Sequence, residues 1–423
     1  MNENKKNSII VSLSEDVAEI EQLANSLDYN IIKTFIQRRE LPDVNSYVGF
    51  GKIEEIKEFI DTYDGDVDMI IVDGELKPSQ WFILEKRLSV EVYDRIRFIL
   101  AIFKDRADRK EARLQVRLAE LQYEKPFVRE LIHRARNGEH PGFMAGGEYQ
   151  VDDYFEMIKK QTKRIRINLE KIRDEREVRR KHRRIGGFYL VSLAGYTNVG
   201  KSSLLNLLSG EKVKVEGKLF STLSTTTRKI KYKNFPILLT DTVGFIQNLP
   251  AWIIDAFHST LEEIEVSDVI ILIVDASEEK ELVGNKLKVS LDELFEIGVK
   301  SPIIILLNKN DLTSKEKISE ITGYLQKMEL TTNREILPIS VKNKENIDTL
   351  MNVIYKSLPN LTKFTIELTA NEKTQSFISW LYEKVHVCSI SYSETVKIDI
   401  ECNPLIRDKI VSMCQNLNGK IIS

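Results

Sequence analysis

The chain has 423 residues, 42% hydrophobic and 30% charged, with a formal net charge of −2. That length is too great for one ordinary domain and can bury sizeable cores, so three or four domains are expected. The N-terminus MNENKKNSIIVSLSED lacks an apolar stretch long enough for a signal peptide. No run of about 18 apolar residues follows, so no integral membrane segment is expected and a cytoplasmic protein is. The three cysteines, Cys388, Cys402 and Cys414, lack metal-ligand spacing and read as ordinary packing in a reducing compartment. His133, His140, His182, His258 and His386 are scattered and form no metal set.

Residues 1–103 alternate short β-like runs with helical ones. SIIVSL (8–13) reads as a strand, SEDVAEIEQLANSL (14–27) as a capped amphipathic helix and YNIIKTFIQ (29–37) as a strand. GFGK (49–52) fits a glycine turn before a helix better than a second nucleotide site. MIIVDGEL (69–76) continues as strand, SQWFILEKRL (79–88) as helix and RIRFILAIF (95–103) as a further strand, which makes a small α/β domain.

From 104 to 185 charged residues dominate and apolar ones recur at helical intervals. Leu114, Leu118 and Leu121 form one stripe; Tyr154, Ile158, Ile165, Leu169 and Ile172 form another. Two long helices are predicted, a helical hairpin joined by the glycine-rich RNGEHPGFMAGGEYQ (136–150). Residues 159–184 hold 13 Lys or Arg against 4 Asp or Glu, a charge of +9 that leaves −11 for the remainder. A polarised chain of this kind suits an anionic partner.

From 186 to 360 strands and helices alternate as in a doubly wound α/β sheet. The strands are FYLVSLAG, KIKYK, FPILLTDT, DVIILIVDAS, PIIILLNK and EILPIS. Residues 361–423 read as strand, helix, two strands and helix: FTIEL, KTQSFISWLYEKV, CSISYSE, TVKIDIEC and PLIRDKIVSMCQNL, a small α+β domain.

The chemistry concentrates in the doubly wound part. GYTNVGKSS, spanning Gly195, Tyr196, Thr197, Asn198, Val199, Gly200, Lys201, Ser202 and Ser203, follows one strand and opens a helix, the context of a phosphate-binding loop. Gly195 and Gly200 permit backbone that turns N–H groups inward, Lys201 reaches the outer phosphates, and Ser202 can hold magnesium. DTVG (Asp241, Thr242, Val243, Gly244) ends another strand; Asp241 can hold magnesium through water and the Gly244 N–H can bond a terminal phosphate. NKND follows PIIILL. Guanine presents two adjacent N–H donors, which the Asp311 carboxylate can accept together, while Asn308 and Lys309 brace the loop. Ser340, Val341 and Lys342 (SVK) offer backbone N–H groups to the guanine oxygen. These pieces in order, each at a strand's C-terminal end, predict GTP and GDP binding. LFSTLSTTTRKIKY (219–232) is the expected sensor of the terminal phosphate, with Thr222 and Thr225 to Thr227 as magnesium candidates that periodicity does not separate.

GYTNVGKSSLLN, LFSTLSTTTR and DTVGFIQNLP resemble the HflX branch of translation-associated P-loop GTPases, near the Obg-like group. VGFGKIEEI (48–56), residues 72–107 and RKEARLQVRLAELQYEKP (109–126) are similar to that family's N-terminal domain and first linking helix, so the likeness runs to about residue 360. The resemblance implies that Phe220, Ser221, Thr222, Leu223 and Ser224 contact nucleotide, that Thr222 ligates magnesium with Thr227 as competitor, and that Lys201, Thr222 and Gly244 serve catalysis. The family usually carries RGPGETQLE between the helices; HPGFMAGGEYQVDDYF stands here instead, so that stretch's role is not carried over. SVK also replaces the commoner SAK, which leaves backbone contacts intact.

Phe245 stands where many GTPases carry a water-orienting glutamine; Gln247, two residues on, is the alternative that could swing in, although an ordered β-like path places it a residue pair too far. The family resemblance implies slow hydrolysis stimulated by the large ribosomal subunit, whose rRNA the basic helix would contact, in ribosome splitting or rescue. In some related GTPases an asparagine at the position of Asn198 is associated with a potassium ion. A monomer is expected. The competing expectation is a slowly hydrolysing GTP-dependent scaffold on another anionic surface or protein. The basic segment lacks the Trp or Phe that would anchor it in a bilayer.

Overall fold

The computed structural model describes residues 6–136, 147–185, 187–210, 226–232, 235–242, 244–245, 252–253, 263–359 and 361–422. The chain divides near Lys171 into two compact units.

In the first unit, β1 (Asn7–Ser12), β2 (Asn30–Ile36), β3 (Met69–Val72) and β4 (Val92–Asp94) form a parallel sheet in the order β2-β1-β3-β4. Ile9, Val11, Ile70, Val72 and Val92 pack against Ile53 and Ile56 of α2 (Phe50–Thr62) and Leu84 and Leu88 of α3 (Pro78–Leu88). Gly49 N-caps α2 in extended backbone, so GFGK is a turn that opens a helix.

Here three sequence expectations are corrected. RIRFILAIF is helix, not strand: α4 spans Arg95–Arg106 and the strand before it is only VYD. A short unbroken apolar run does not distinguish a buried strand from a buried helix. Asp94 decides it, since its carboxylate accepts the Arg97 N–H at 2.7 Å and caps the helix. Arg95, buried, pairs with Asp73 and Glu19. The first helix, α1 (Ala18–Ser26), has no side-chain cap; Ser14 instead accepts the Asp16 N–H in a local turn. Finally, MIIVDGEL is strand only to Val72.

The charged segment forms α5 (Lys110–Arg136) and α6 (Gly147–Ile185). Leu118, Leu121, Val128, Ile158 and Ile165 make their shared core, with Leu114, Tyr154 and Leu169 beside it.

The second unit holds two sheets. β5 (Tyr189–Gly195), β6 (Thr226–Tyr232), β7 (Phe235–Asp241), β8 (Val269–Asp275), β9 (Ile303–Asn308) and β10 (Glu335–Pro338) are ordered β10-β9-β8-β5-β7-β6, parallel except for β6. β5 and β8 are buried at every position, as unbroken apolar strands covered on both faces must be. Helices α7 (Lys201–Ser209), α8 (Lys280–Glu296), α9 (Lys315–Lys327) and α10 (Ile347–Ser357) accompany this sheet. The second sheet is antiparallel, β12 (His386–Tyr392), β13 (Thr395–Cys402), β11 (Thr362–Thr369) and β14 (Lys420–Ile422) in that spatial order. Phe364, Ile366, Ile398 and Ile400 face Phe377 and Leu381 of α11 (Glu372–Lys384) and Ile406 and Ile410 of α12 (Pro404–Asn416). β14 is additional to the sequence expectation, a three-residue strand too short to carry a periodic signal.

Candidate functional site

The chain leaves β5 for β6 and β7 on one side and returns to β8, β9 and β10 on the other, so the C-terminal end of β5 lies where the strand order reverses. Crevices at such points are where open α/β sheets bind ligands.

β5 ends at Gly195 and α7 starts at Lys201, with the phosphate-loop motif between them. Gly195 has φ +132° and Gly200 φ +101°, backbone that favours glycine. Space excludes side chains there too: a Cβ on Gly195 would lie 2.2 Å from the Ile273 carbonyl oxygen, and one on Gly200 2.4 Å from Asn308 Nδ2. Asn198 is exposed and left-handed, φ 62°. Lys201 Nζ sits inside the loop, donating to the carbonyls of Gly195 at 2.9 Å and Tyr196 at 2.6 Å. Burial pushes its ammonium down to about 8, against the opposing pull of Asp241. A desolvated cation beside a helix N-terminus gains strongly from an anion.

Ser202, in the first turn of α7, donates to Asp241 Oδ2 at 2.6 Å, so two of the expected magnesium ligands meet. The Thr242 hydroxyl is buried and donates to the Leu193 carbonyl at 2.6 Å, which ties the end of β7 to β5. A Cβ on Gly244 would lie 2.9 Å from Lys201 Nζ, so Gly244 brings its backbone close to the phosphate-loop lysine. Phe245 donates its N–H to Gly195 O at 3.1 Å and accepts from Thr197 N at 3.2 Å. Its ring is buried, edge-on to Tyr196 with centroids 6.5 Å apart. Phe245 therefore packs beneath the phosphate loop. Thr227 lies in β6, its hydroxyl 3.0 Å from that of Thr240. Val243, Gln247, Thr225 and the stretch Phe220, Ser221, Thr222, Leu223 and Ser224 lie outside the described residues.

Asn308 joins three loops. Its Nδ2 donates to the Val199 carbonyl at 2.7 Å and its Oδ1 accepts the Val341 N–H at 3.2 Å. Asp311 accepts the Ser340 hydroxyl at 2.6 Å, and Ser340 Oγ accepts the Asn343 N–H at 3.0 Å, so NKND and SVK form one hydrogen-bonded rim. Lys309, left-handed at φ 65°, places its Nζ 2.5 Å from Asp275 Oδ2. Burial pushes the Asp275 carboxyl up, but Lys309 and Ser277 outweigh it and hold the group below the usual carboxylate range. Asp275 escaped the sequence reading. Its place at the C-terminal end of β8, in line with the other loops, was the available signal.

In the antiparallel sheet His386, Cys388 and Glu401 come together, their ligand atoms all within 4.8 Å of one another. The third donor comes from a neighbouring strand, which spacing along the chain does not reveal.

Family models match in three stretches. Residues 14–104 fit a family described as GTP-binding GTPase N-terminal, 106–183 the GTP-binding GTPase middle region, and 190–309 a family described as 50S ribosome-binding GTPase. The chain is 41% identical over 391 residues to GTPase HflX of Thermococcus kodakarensis, covering 90% of this chain and 87% of that one. It is 43% identical over 373 residues to GTPase HflX of Methanocaldococcus jannaschii, covering 88% and 89%. Among solved structures, the crystal structure of an SsGBP and GDP complex aligns with TM-score 0.51 and 28% identity, over 83% of this chain and 98% of that one. Among the described residues no helix is long and apolar enough to cross a membrane. With the phosphate loop, Asp241 and the NKND rim at the C-terminal ends of strands of one sheet, the chain belongs to the HflX family of GTPases and hydrolyses GTP.

Proposed function

We propose that this GTPase works on the large ribosomal subunit, in splitting or rescue of ribosomes, with its nucleotide state controlling docking. The observation that carries the reading is α6. Lys159, Lys160, Lys163, Arg164, Arg166, Lys171 and Arg179 are exposed along it. Ribosomal RNA offers a dense phosphate surface, and each Lys or Arg that neutralises a phosphate releases counterions. Residues 159–184 contain no Phe, Tyr or Trp, which favours backbone contact over base stacking. The match to a ribosome-binding GTPase family agrees with this partner.

In this reading the chain is a cytoplasmic monomer of four parts, 1–103, 104–185, 186–360 and 361–423. The backbone from Gly195 to Gly200, with Lys201, holds the phosphates; Gly244 meets the terminal one; Asn308, Lys309, Asp311 and Ser340 to Lys342 hold guanine. Ser202, Asp241 through water and Thr222 would hold magnesium, and the approach of Ser202 Oγ to Asp241 Oδ2 is an oxygen donor set that suits it. When bound, that ion neutralises phosphate charge. Exposed Asn198 is the potassium candidate. Because the Phe245 ring is buried against Tyr196, no side chain at that position orients water, and turnover alone is slow until the subunit supplies the missing contribution.

The test is co-sedimentation with large subunits across a salt series. Replacing Lys163, Arg164 and Arg166 by Gln should weaken binding and flatten the slope of log affinity against log salt, by roughly 0.7–0.9 for each phosphate that is no longer neutralised. An unchanged affinity and slope would remove α6 from the interface.

A further inference from the structure

On the sheet formed by β11 to β14, Lys363 of β11 lies opposite Glu401 of β13, which lies opposite His386 of β12. The register slips between Val387 and Ser389, so Cys388 is the extra residue of a β-bulge, without a cross-strand partner in the ladder. Cys388 Sγ, a His386 ring nitrogen and a Glu401 carboxylate oxygen all lie within 4.8 Å of one another. We infer that these three side chains form a binding site for a thiophilic divalent cation of the zinc class.

Imidazole nitrogen, thiolate sulfur and carboxylate oxygen are the donors zinc takes in four-coordinate sites, and three of them with a water complete the set. Metal–ligand bonds of about 2.0–2.3 Å set tetrahedral donors roughly 3.3–3.8 Å apart, so the cluster needs to close by no more than about 1.5 Å. Cys388 is exposed and His386 half-buried, and side-chain rotation supplies that movement.

Two groups already engage Glu401: Lys363 pairs with Oε1, and the Tyr355 hydroxyl donates to Oε2. The Lys363 side chain is 73% exposed, so its ammonium returns to water at little cost when a cation replaces it. The Tyr355 bond can persist and orient the carboxylate, the role of an outer hydrogen-bond partner at a metal. The Tyr355 ring also meets His386 edge-on at 6.4 Å.

Ligation as thiolate requires that the cation displace the thiol proton of Cys388. Magnesium, which prefers oxygen donors, is a poor competitor here. Tyr355 belongs to α10, so an occupied site would tie β12 and β13 to the nucleotide-binding part of the same unit.

The test is titration of the metal-free full-length protein with Co2+, followed by Zn2+ competition. The expected result is about one equivalent of cobalt with a near-ultraviolet thiolate charge-transfer band that zinc bleaches. Cys388→Ser abolishes the band, and His386→Gln weakens zinc binding by at least roughly tenfold, since even outer-shell substitutions cost that much. Unfolding midpoints of both variants without metal verify that the fold is kept. Absence of the band, or a band that survives Cys388→Ser and so belongs to Cys402 or Cys414, overturns the assignment.

Discussion

Replacing Asn308 by Ala tests whether the nucleotide loops are held as one unit. The side chain is 3% exposed, and it spans from Val199 O, at 2.7 Å, to Val341 N, at 3.2 Å. The substitution strips a partner from two backbone groups, one on the phosphate loop and one on the guanine rim. Each group left unpaired and shielded from water costs about 1–3 kcal/mol, and water entering the vacated space recovers part of it. A total of about 2–4 kcal/mol is expected. If half is expressed in binding, GDP affinity falls roughly 5- to 30-fold. The rest lowers the unfolding midpoint. Fluorescent GDP titration and thermal unfolding read the two shares separately. Asn308→Asp should be worse, because a carboxylate then faces the Val199 carbonyl. Unchanged affinity together with an unchanged midpoint would refute the bridging role.

Asp311→Asn should cost GTP about 1–3 kcal/mol of a bidentate pair while improving xanthosine triphosphate, whose C2 carbonyl oxygen can accept from the new amide. Equal loss for both nucleotides in a competition assay would contradict the assignment. Burial sets Lys201 at about 8, and bound phosphate favours its charged form. GTP affinity should thus be flat below pH 8 and weaken above it by up to about tenfold per unit; a flat profile to pH 9.5 or so would argue against the lysine contact. Burial and then Glu296 push Glu293 up to about 7, so its protonated form is the one the fold favours, and that stability is lost as pH rises from about 4.5 through 7. Glu293→Gln should stabilise by about 1–2 kcal/mol at pH 8 and by little at pH 4, read from unfolding midpoints. Phe245→Gln places an amide in an apolar site, costing about 1–3 kcal/mol, and should not speed hydrolysis. Faster single-turnover hydrolysis would show that the side chain reaches the water after all.

Much of the nucleotide site was legible because its chemistry is local in sequence. A loop that turns backbone N–H groups onto phosphate needs glycine at both ends, and Gly195 and Gly200 have positive φ for that reason. The central strands of the nucleotide sheet, β5, β8 and β9, were readable because each is an apolar run. RIRFILAIF was not, since its all-round burial erases the period that separates helix from strand, and Asp94 as cap was the local sign that remained. Contacts across the sheet were illegible for another reason. The Thr227–Thr240 pair, the Lys309–Asp275 pair and the approach of Cys388 to Glu401 depend on register and strand order, which no spacing along the chain encodes.

The most direct measurement is GTP turnover by the purified protein, in potassium and in sodium buffer, with and without large ribosomal subunits. The proposed function predicts turnover that is slow alone and rises by orders of magnitude with subunits, the subunit supplying what Phe245 does not. Turnover that is unaffected by subunits in either salt would contradict the ribosomal role and leave the basic helix in need of another anionic partner.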